Sequence, residues 1–338
     1  MPRYLKEAVL YEKLPGGNTR CLACRRRCVA APGGAGACGV RRNLDGRLFA
    51  PWGFVSGFAF DPVEKKPFFH ALPGARTLSY GMLGCNYKCD FCQNWEISTA
   101  RDPEGEVYSV TPAELAARAT DAGARIVVST YNEPVITAEW SAAVFKEARS
   151  RGLRTGFVSN GYATPEAVSL LEPVLDLWKV DLKSFDADRF GKACGADLAQ
   201  ALAGFELIAA SGFWVEAVTL LVPGFNDSEA EISAMAAFLA GLSRDIPWHV
   251  TAFHPAYRRA GAPAQTAGVL LRAREIGLAK GLNFVYCGNI PDEGGTADTR
   301  CPACKSLLVS RSGFTVLSDS LGGKGACSCG RVIPGVWN

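Results

Sequence analysis

From about residue 77 onward the chain alternates short apolar strands with helical segments six times in succession, and no other feature limits its possible folds so tightly. TLSYGML reads as a strand. VTPAELAARATDAG predicts a helix with Thr111 as N-cap, Pro112 in the first turn and Gly123 as the stop. The pairs RIVVSTY and VITAEWSAAVFKEARSRG, LRTGFVSN and TPEAVSLLEP, VLDLWKVDLKS and DLAQALAGFELIAASG, FWVEAVTLLVPG and DSEAEISAMAAFLAGL, then WHVTAFHP and QTAGVLLRAREIGLAKG repeat the unit, and NFVYCGN closes it as a short strand. Right-handed crossovers turn such a pattern into a parallel sheet with helices outside it. Six units are too few to close an eight-fold barrel, so the expected fold is α/β, an open partial (β/α)6 barrel. In such sheets chemistry gathers at the C-terminal strand ends. That is where the polar segments fall: a cysteine loop, TYNEP, SNG, DLKS, PGFND and FHPAY follow the successive strands. Unlike polar groups converging on one rim point to an enzyme.

Around this region the texture differs. Residues 1–50 are rich in Cys, Arg and Gly and read as a metal-binding N-terminal region. Residues 51–76, with DPVEKKPFFHALPG, read as an irregular connector. The barrel occupies 77–294, and 295–338 form a tail too short to bury a core without a metal staple. No apolar run reaches membrane-span length, and MPRYLKEAVLYEK lacks the apolar core of a signal peptide, so the expectation is a cytoplasmic protein. Thiols stay reduced there, and clustered cysteines then point to metal rather than disulfides. Of 13 cysteines, eleven form three clusters: 21/24/28/38, 85/89/92 and 301/304/327/329. Cys194 and Cys287 stand alone and read as small buried apolar residues. Residues 1–50 also carry 10 Lys and Arg against 3 Asp and Glu. With few aromatics among them, a solvated basic face is favoured over a nucleic-acid surface.

MLGCNYKCDFCQNW places Cys85, Cys89 and Cys92 at spacings of three and two residues, with no fourth cysteine in the loop. A structural metal site closes its shell with four protein ligands. A four-iron cubane held by three thiolates leaves one iron open to substrate or cofactor. A zinc site completed by Cys194 or Cys287 is the competing reading.

CNYKCDFC resembles the C-x3-C-x-aromatic-C signature of the radical SAM superfamily, whose members carry it in the loop after the first barrel strand. The resemblance implies that Cys85, Cys89 and Cys92 ligate a [4Fe–4S] cluster. The amino and carboxylate groups of S-adenosylmethionine (SAM) chelate its open iron. Reduction then yields methionine and a 5′-deoxyadenosyl radical that abstracts hydrogen, while the protein orients the cofactor and excludes water. Phe91 matches the aromatic expected near the adenine. Thr130, Asn132 and Glu133 lie where relatives receive the methionine amino group, Glu133 being the strict match. Ser159 and Asn160, with Gly161, resemble the Asp-Thr-Asn-Gly segment of pyruvate formate-lyase activating enzymes, with Val158 in place of its aspartate. Asp181 and Lys183 match an Asp-Leu-Lys segment whose lysine reaches the SAM carboxylate. His254 matches a histidine near the ribose and adenine.

DPVEKKPFFHALPG, CQNWEIS, TYNEP, VPGFNDS, WHVTAFHPAY, REIGL, the N-terminal Cys-x2-Cys-x3-Cys and the Ile-Pro-Gly-Val-Trp ending narrow the resemblance to activase-like proteins of the AmmeMemoRadiSam system. The partners so implied are Memo-like and AMMECR1-like proteins, together with an electron donor. Radical chemistry on a small molecule or a protein is the favoured expectation. A glycyl-radical-enzyme activase is the alternative, followed by an RNA-modifying enzyme and by a zinc-finger-type module without catalysis. Cys21, Cys24, Cys28 and Cys38 make a closed ligand set for zinc or a second iron–sulfur cluster, with a slight preference for zinc. Arg25–Arg27 between them are expected to lower the thiol pKa values. Cys301, Cys304, Cys327 and Cys329 read as a zinc ribbon whose C-x-C half is atypical. His70 and His249 read as structural. Lys65 and Lys66 read as part of a packed connector.

Overall fold

The computed structural model describes residues 4–103, 107–291 and 294–338. Its strands are β1 (Leu5–Glu7), β2 (Tyr11–Lys13), β3 (Thr19–Cys21), β4 (Val29–Ala30), β5 (Arg42–Leu44), β6 (Arg47–Pro51), β7 (Phe54–Val55), β8 (Gly57–Pro62), β9 (Arg76–Gly81), β10 (Tyr108–Ser109), β11 (Ile126–Ser129), β12 (Arg154–Ser159), β13 (Leu177–Asp181), β14 (Trp214–Leu221), β15 (Trp248–Ala252), β16 (Val285–Gly288), β17 (Thr299–Arg300), β18 (Leu307–Ser312) and β19 (Thr315–Asp319). The helices are α1 (Trp95–Thr99), α2 (Pro112–Asp121), α3 (Ala138–Ser150), α4 (Pro165–Leu171), α5 (Ala187–Cys194), α6 (Leu198–Ala210), α7 (Glu229–Leu242) and α8 (Ala267–Ala279). The helix signals read from the sequence are in place. Thr111 Oγ1 accepts from the Glu114 N–H at 3.2 Å and the Glu114 carboxylate accepts from the Thr111 N–H at 2.7 Å, a complete capping box. Thr164 caps α4 with its hydroxyl alone, accepting from the Ala167 N–H at 3.2 Å.

Two compact units result. The first comprises Met1–Asp61, Arg76–Trp178 and Ala193–Phe213; the second comprises Pro62–Ala75, Lys179–Lys192 and Trp214–Asn338. In the first unit the main sheet runs β8-β9-β11-β12 and then the start of β13, with β9, β11 and β12 parallel. Every residue of β11 is buried, as expected of a central strand covered on both faces. Helices α2, α3 and α4 pack beside one another, and Trp140, Val144 and Phe145 of α3 are fully buried. Phe145 meets Phe157 of β12 with ring centroids 5.5 Å apart. Each such side chain contributes about 1.5–3 kcal/mol of apolar burial.

The expected irregular stretches carry more structure than their composition suggested. Residues 4–51 form two small antiparallel sheets, β1-β6-β5 and β2-β3-β4. Part of the expected connector is β8, which joins the main sheet beside β9, and β7 pairs with β10. The reason is local: GFAFDP alternates only weakly in burial, so period-two reading missed it.

In the second unit, the end of β13 is followed by β14, β15 and β16, the last three parallel, with α7 and α8 packed together and α8 against β15 and β16. The tail strands β17, β18 and β19 form an antiparallel sheet. Their core joins Phe69 of the connector to Tyr286 of β16 and to Cys301, Val309, Cys327 and Ile333 of the tail. The tail is therefore part of that unit's core. Fully buried Glu216 fastens the same region, accepting from the Phe69 N–H at 3.0 Å and the His70 N–H at 2.9 Å and pairing with His249 Nε2 at 2.7 Å. His70 Nδ1 lies 2.8 Å from the Pro334 carbonyl, which can only accept, so that nitrogen carries the proton and Nε2 accepts from the Tyr286 hydroxyl at 2.7 Å. Both histidines are structural, as the sequence suggested. Lys66 is buried and Lys65 exposed. Among the described residues no single helix is long and apolar enough to cross a membrane.

Candidate active site

The cysteine loop leaves the C-terminal end of β9, as the alternation required. Cys85, Cys89 and Cys92 are half-buried and Phe91 is buried between them. The loop is held from the ends of the next two strands. Asn132, just past β11, accepts from the Met82 N–H at 2.9 Å and donates to the carbonyls of Leu83 at 3.3 Å and Gly84 at 3.2 Å. Asn160, just past β12, donates to Asn86 Oδ1 at 2.7 Å, and that oxygen stands 3.9 Å from Cys85 Sγ. Cys92 Sγ lies 3.7 Å from Ser98 Oγ of α1.

Glu133 ties the two strand ends together. Its carboxylate is 3% exposed. Oε1 accepts from Ser159 Oγ at 2.7 Å and from the Val135 N–H at 3.0 Å, and Oε2 accepts from the Asn160 N–H at 2.8 Å. Thr130 is buried beside it. Helix α6 closes in from behind: a Cβ on Gly204 would sit 2.2 Å from the Gly161 carbonyl, so only glycine allows this approach. The structure thus brings Cys85, Cys89, Cys92, Phe91, Thr130, Asn132, Glu133, Ser159 and Asn160 into one region of the first unit. The burial of Cys85 pushes its thiol well above the ordinary value, with the charges of Glu133, Cys89 and Cys92 adding to the rise.

The second unit holds the remaining expected residues. Burial would raise the Asp181 carboxyl, but Lys179 and Lys183 outweigh it and hold it down to about 2. Lys183 Nζ donates to Asp181 Oδ2 at 2.8 Å, and Lys179 donates to Oδ1. His254 follows the end of β15 and is exposed.

Three residues of this region went unread in the sequence: Asn86, Ser98 and Lys179. Lys179 had a usable signal, since it stands two residues before Asp181 on one strand face. Asn86 had none beyond its place next to Cys85.

The N-terminal cysteines lie in the first unit too. Cys21 and Cys24 are buried, Cys28 and Cys38 half-buried. The expected role of the intervening arginines is corrected by their contacts. Arg25 donates to the carbonyls of Ala163 and Ala203, both at 2.9 Å. Arg26 donates to the carbonyls of Asn86, at 2.6 Å, and Gly195. Arg27 forms a two-pronged pair with Glu166 at 2.8 Å. They clamp the N-terminal sheets onto neighbouring loops rather than activating thiols. Burial, with the Cys21 thiol beside it, pushes Cys24 up to about 12, while the Asn86 amide facing it pulls the other way. Arg41, 1% exposed, pairs with Glu139 at 2.7 Å and donates to the Ile136 carbonyl at 3.0 Å.

The tail gathers its four thiols. The ligand atoms of Cys301, Cys304, Cys327 and Cys329 all lie within 4.8 Å of one another, with Cys301 to Cys329 at 3.7 Å and Cys304 to Cys327 at 3.5 Å. A tetrahedral ion with ~2.3 Å metal–sulfur bonds needs sulfurs ~3.8 Å apart. The C-x-C half does not prevent that geometry. Three half-buried thiols with no fourth cysteine in the loop suit a cubane that keeps one iron open, so the loop fits a [4Fe–4S] cluster.

Residues 80–236 match the family described as the radical SAM superfamily. The uncharacterized protein MJ0808 of Methanocaldococcus jannaschii is 36% identical over 309 residues, 91% of this chain and 92% of its own length. The isethionate sulfite-lyase activating enzyme of Nitratidesulfovibrio vulgaris is 30% identical over 122 residues, 35% of this chain and 40% of the enzyme. A domain of pyruvate-formate lyase-activating enzyme from Bacteroides vulgatus superposes with a TM-score of 0.44 at 22% identity, over 48% of this chain and 98% of that one.

Proposed function

Since the chain belongs to the radical SAM superfamily and is an enzyme of its activase-like type, we propose that it abstracts hydrogen from a small-molecule or protein substrate together with Memo-like and AMMECR1-like proteins. Cys85, Cys89 and Cys92 would hold the [4Fe–4S] cluster, with SAM on its fourth iron. Held by these thiols and reduced, the cluster would supply the one-electron chemistry that splits the SAM sulfonium.

The chain's own residues fix the geometry. Asn132 fastens the loop backbone at Met82, Leu83 and Gly84. Glu133 sets the turn of Ser159 and Asn160, and Asn160 positions Asn86 beside Cys85. Phe91 offers an apolar face for the adenine. Thr130, Glu133 and Ser159 frame the strand ends where the methionine amino group is expected. Lys183, charged and held by Asp181, offers an ammonium to the SAM carboxylate, and His254 offers a ring to the ribose and adenine. The cysteines of the tail would hold zinc as a structural staple.

The observation that carries this reading is the three-thiol loop at the end of β9, which has no fourth cysteine and is braced from the ends of β11 and β12. A second reading, activation of a glycyl-radical enzyme, draws support from the similarity to the isethionate sulfite-lyase activating enzyme. The basic N-terminus does not favour RNA, because Arg25, Arg26 and Arg27 are engaged with carbonyls and a carboxylate of the protein and Arg41 is buried against Glu139.

The test mixes reduced, reconstituted enzyme and SAM with the Memo-like and AMMECR1-like proteins. Faster release of 5′-deoxyadenosine in their presence supports the first reading. A glycyl-radical EPR signal in an added glycyl-radical enzyme replaces it with the second. No stimulation by the two proteins removes them as partners.

A further inference from the structure

We propose that Asn86 is a positioning residue shared by two metal sites: its NH2 group donates to a metal-bound Cys24 thiolate, and this holds its side-chain oxygen toward Cys85 of the catalytic loop. The assignment is the same whether Cys21, Cys24, Cys28 and Cys38 hold zinc or an iron–sulfur centre. Its effect on the Cys85 cluster rests on the radical SAM reading above; its effect on the N-terminal metal does not.

The orientation of the amide follows from a chain of contacts. The Tyr162 N–H donates to Asn160 Oδ1 at 3.1 Å, so Asn160 turns its Nδ2 the other way. That Nδ2 donates to Asn86 at 2.7 Å, and Asn86 has to present Oδ1 to receive it. A flipped Asn86 would set two NH2 groups against each other. Oδ1 then stands 3.9 Å from Cys85 Sγ. Nδ2 is turned away from Asn160, buried, and makes no hydrogen bond of ordinary geometry among the described residues.

Cys24 is the group that Nδ2 can serve. Burial raises its thiol, the Cys21 thiol adds to the rise, and the Asn86 amide beside it pulls the other way. Backbone contacts fix Cys24 at this spot independently. It forms a β-bridge with Ala163, and the Arg25 N–H donates to the Tyr162 carbonyl at 3.0 Å. Arg26 Nε donates to the Asn86 carbonyl at 2.6 Å. A neutral thiol is a weak acceptor and leaves a buried NH2 group poorly served. A metal-bound thiolate carries charge and takes such a bond readily. Metal at Cys24 therefore satisfies the Asn86 amide as well as the cysteine.

The amide dipole is thereby fixed between two sulfurs. Its positive end serves Cys24 and its negative end faces Cys85, whose sulfur also accepts from the Tyr87 N–H at 3.4 Å. A negative dipole end beside a cluster ligand opposes an added electron and so lowers the reduction potential. Asparagine is the residue type that can do both. Alanine offers neither end, and aspartate would turn a charged oxygen toward Cys85 and offer no donor to Cys24.

Two readouts on the full chain, prepared anaerobically, test this. The first uses Cys85→Ala/Cys89→Ala/Cys92→Ala with cobalt(II) as the probe. Its thiolate absorption reports the N-terminal and tail quartets, and the tail serves as internal standard. Adding Asn86→Ala should weaken cobalt binding at one quartet by about 10–100-fold against a competing chelator and leave the other unchanged. Equal retention at both quartets overturns the proposal. The second readout keeps the catalytic cysteines and follows the midpoint potential of the EPR signal that SAM perturbs. Asn86→Ala should move it upward and Asn86→Asp downward. Shifts in the same direction, as lost packing alone would give, or no shift in either variant, overturn the proposal. The cobalt measurement needs neither SAM nor the catalytic cluster, so failure there is distinguishable from failure of the radical SAM reading.

Discussion

Glu133→Gln probes how the strand ends are locked together around the cysteine loop. The carboxylate takes three donors: Ser159 Oγ and the Val135 N–H on Oε1, and the Asn160 N–H on Oε2. Each hydrogen bond to a charged acceptor contributes about 1.5–3 kcal/mol. Glutamine keeps one oxygen and replaces the other with an NH2 group. The backbone donors of Val135 and Asn160 sit on opposite oxygens, so whichever way the amide turns, one buried N–H faces another. One charge-assisted bond is lost and one donor is left unsatisfied, while the charge no longer has to be buried. The net expected loss is about 2–4 kcal/mol, read by anaerobic urea denaturation at pH 7. Ser159→Ala removes one of the three donors and should cost less. The double variant should cost less than the two separate losses combined, because they share a bond. If Glu133→Gln unfolds within about 0.5 kcal/mol of wild type, the carboxylate is not the pin inferred from its contacts.

Three further outcomes are expected. Asp181 is held at about 2, below its ordinary 3.8, so its ion pairs stabilise the fold above about pH 4 and are lost as pH falls toward 2, by about 2 kcal/mol. Asp181→Asn should remove that acid limb and, by stranding Lys179 and Lys183, cost about 3 kcal/mol at pH 7, which denaturation at several pH values will show. His70 is buried neutral, with its pKa lowered by desolvation to about 4 from 6.5. The unfolded chain gains the proton first, so about 3 kcal/mol of stability present above pH 6.5 disappears as pH falls to about 4, and His70→Asn should lack this loss. The tail should contain one zinc per chain; stripping it with a chelator should lower the melting temperature and increase hydrogen exchange at Val309 and Ile333, which share a core with Cys301 and Cys327.

The alternation of strands and helices was legible because its signals are local. Thr111, Pro112 and Gly123 bound α2 by backbone chemistry alone, and IVVS declares a strand covered on both sides. The cysteine loop was legible for a similar reason, since its spacing and its place after a strand are both sequence properties. What stayed hidden depends on contacts between distant segments. Glu133 looks like a ligand in sequence, yet its buried oxygens hold Ser159 and Asn160, which only the fold reveals. Arg25–Arg27 look like electrostatic help for neighbouring thiols, but their guanidinium groups reach carbonyls and a carboxylate more than 50 residues away. Helix α5 was missed because ADRFGKAC is short and carries a glycine.

The radical mechanism is tested most directly by 5′-deoxyadenosine release from anaerobically reconstituted, reduced enzyme supplied with SAM. Wild type should release it and Cys89→Ala should not, although both fold. Equal release by the two proteins would contradict the assignment of Cys85, Cys89 and Cys92 as the catalytic cluster site.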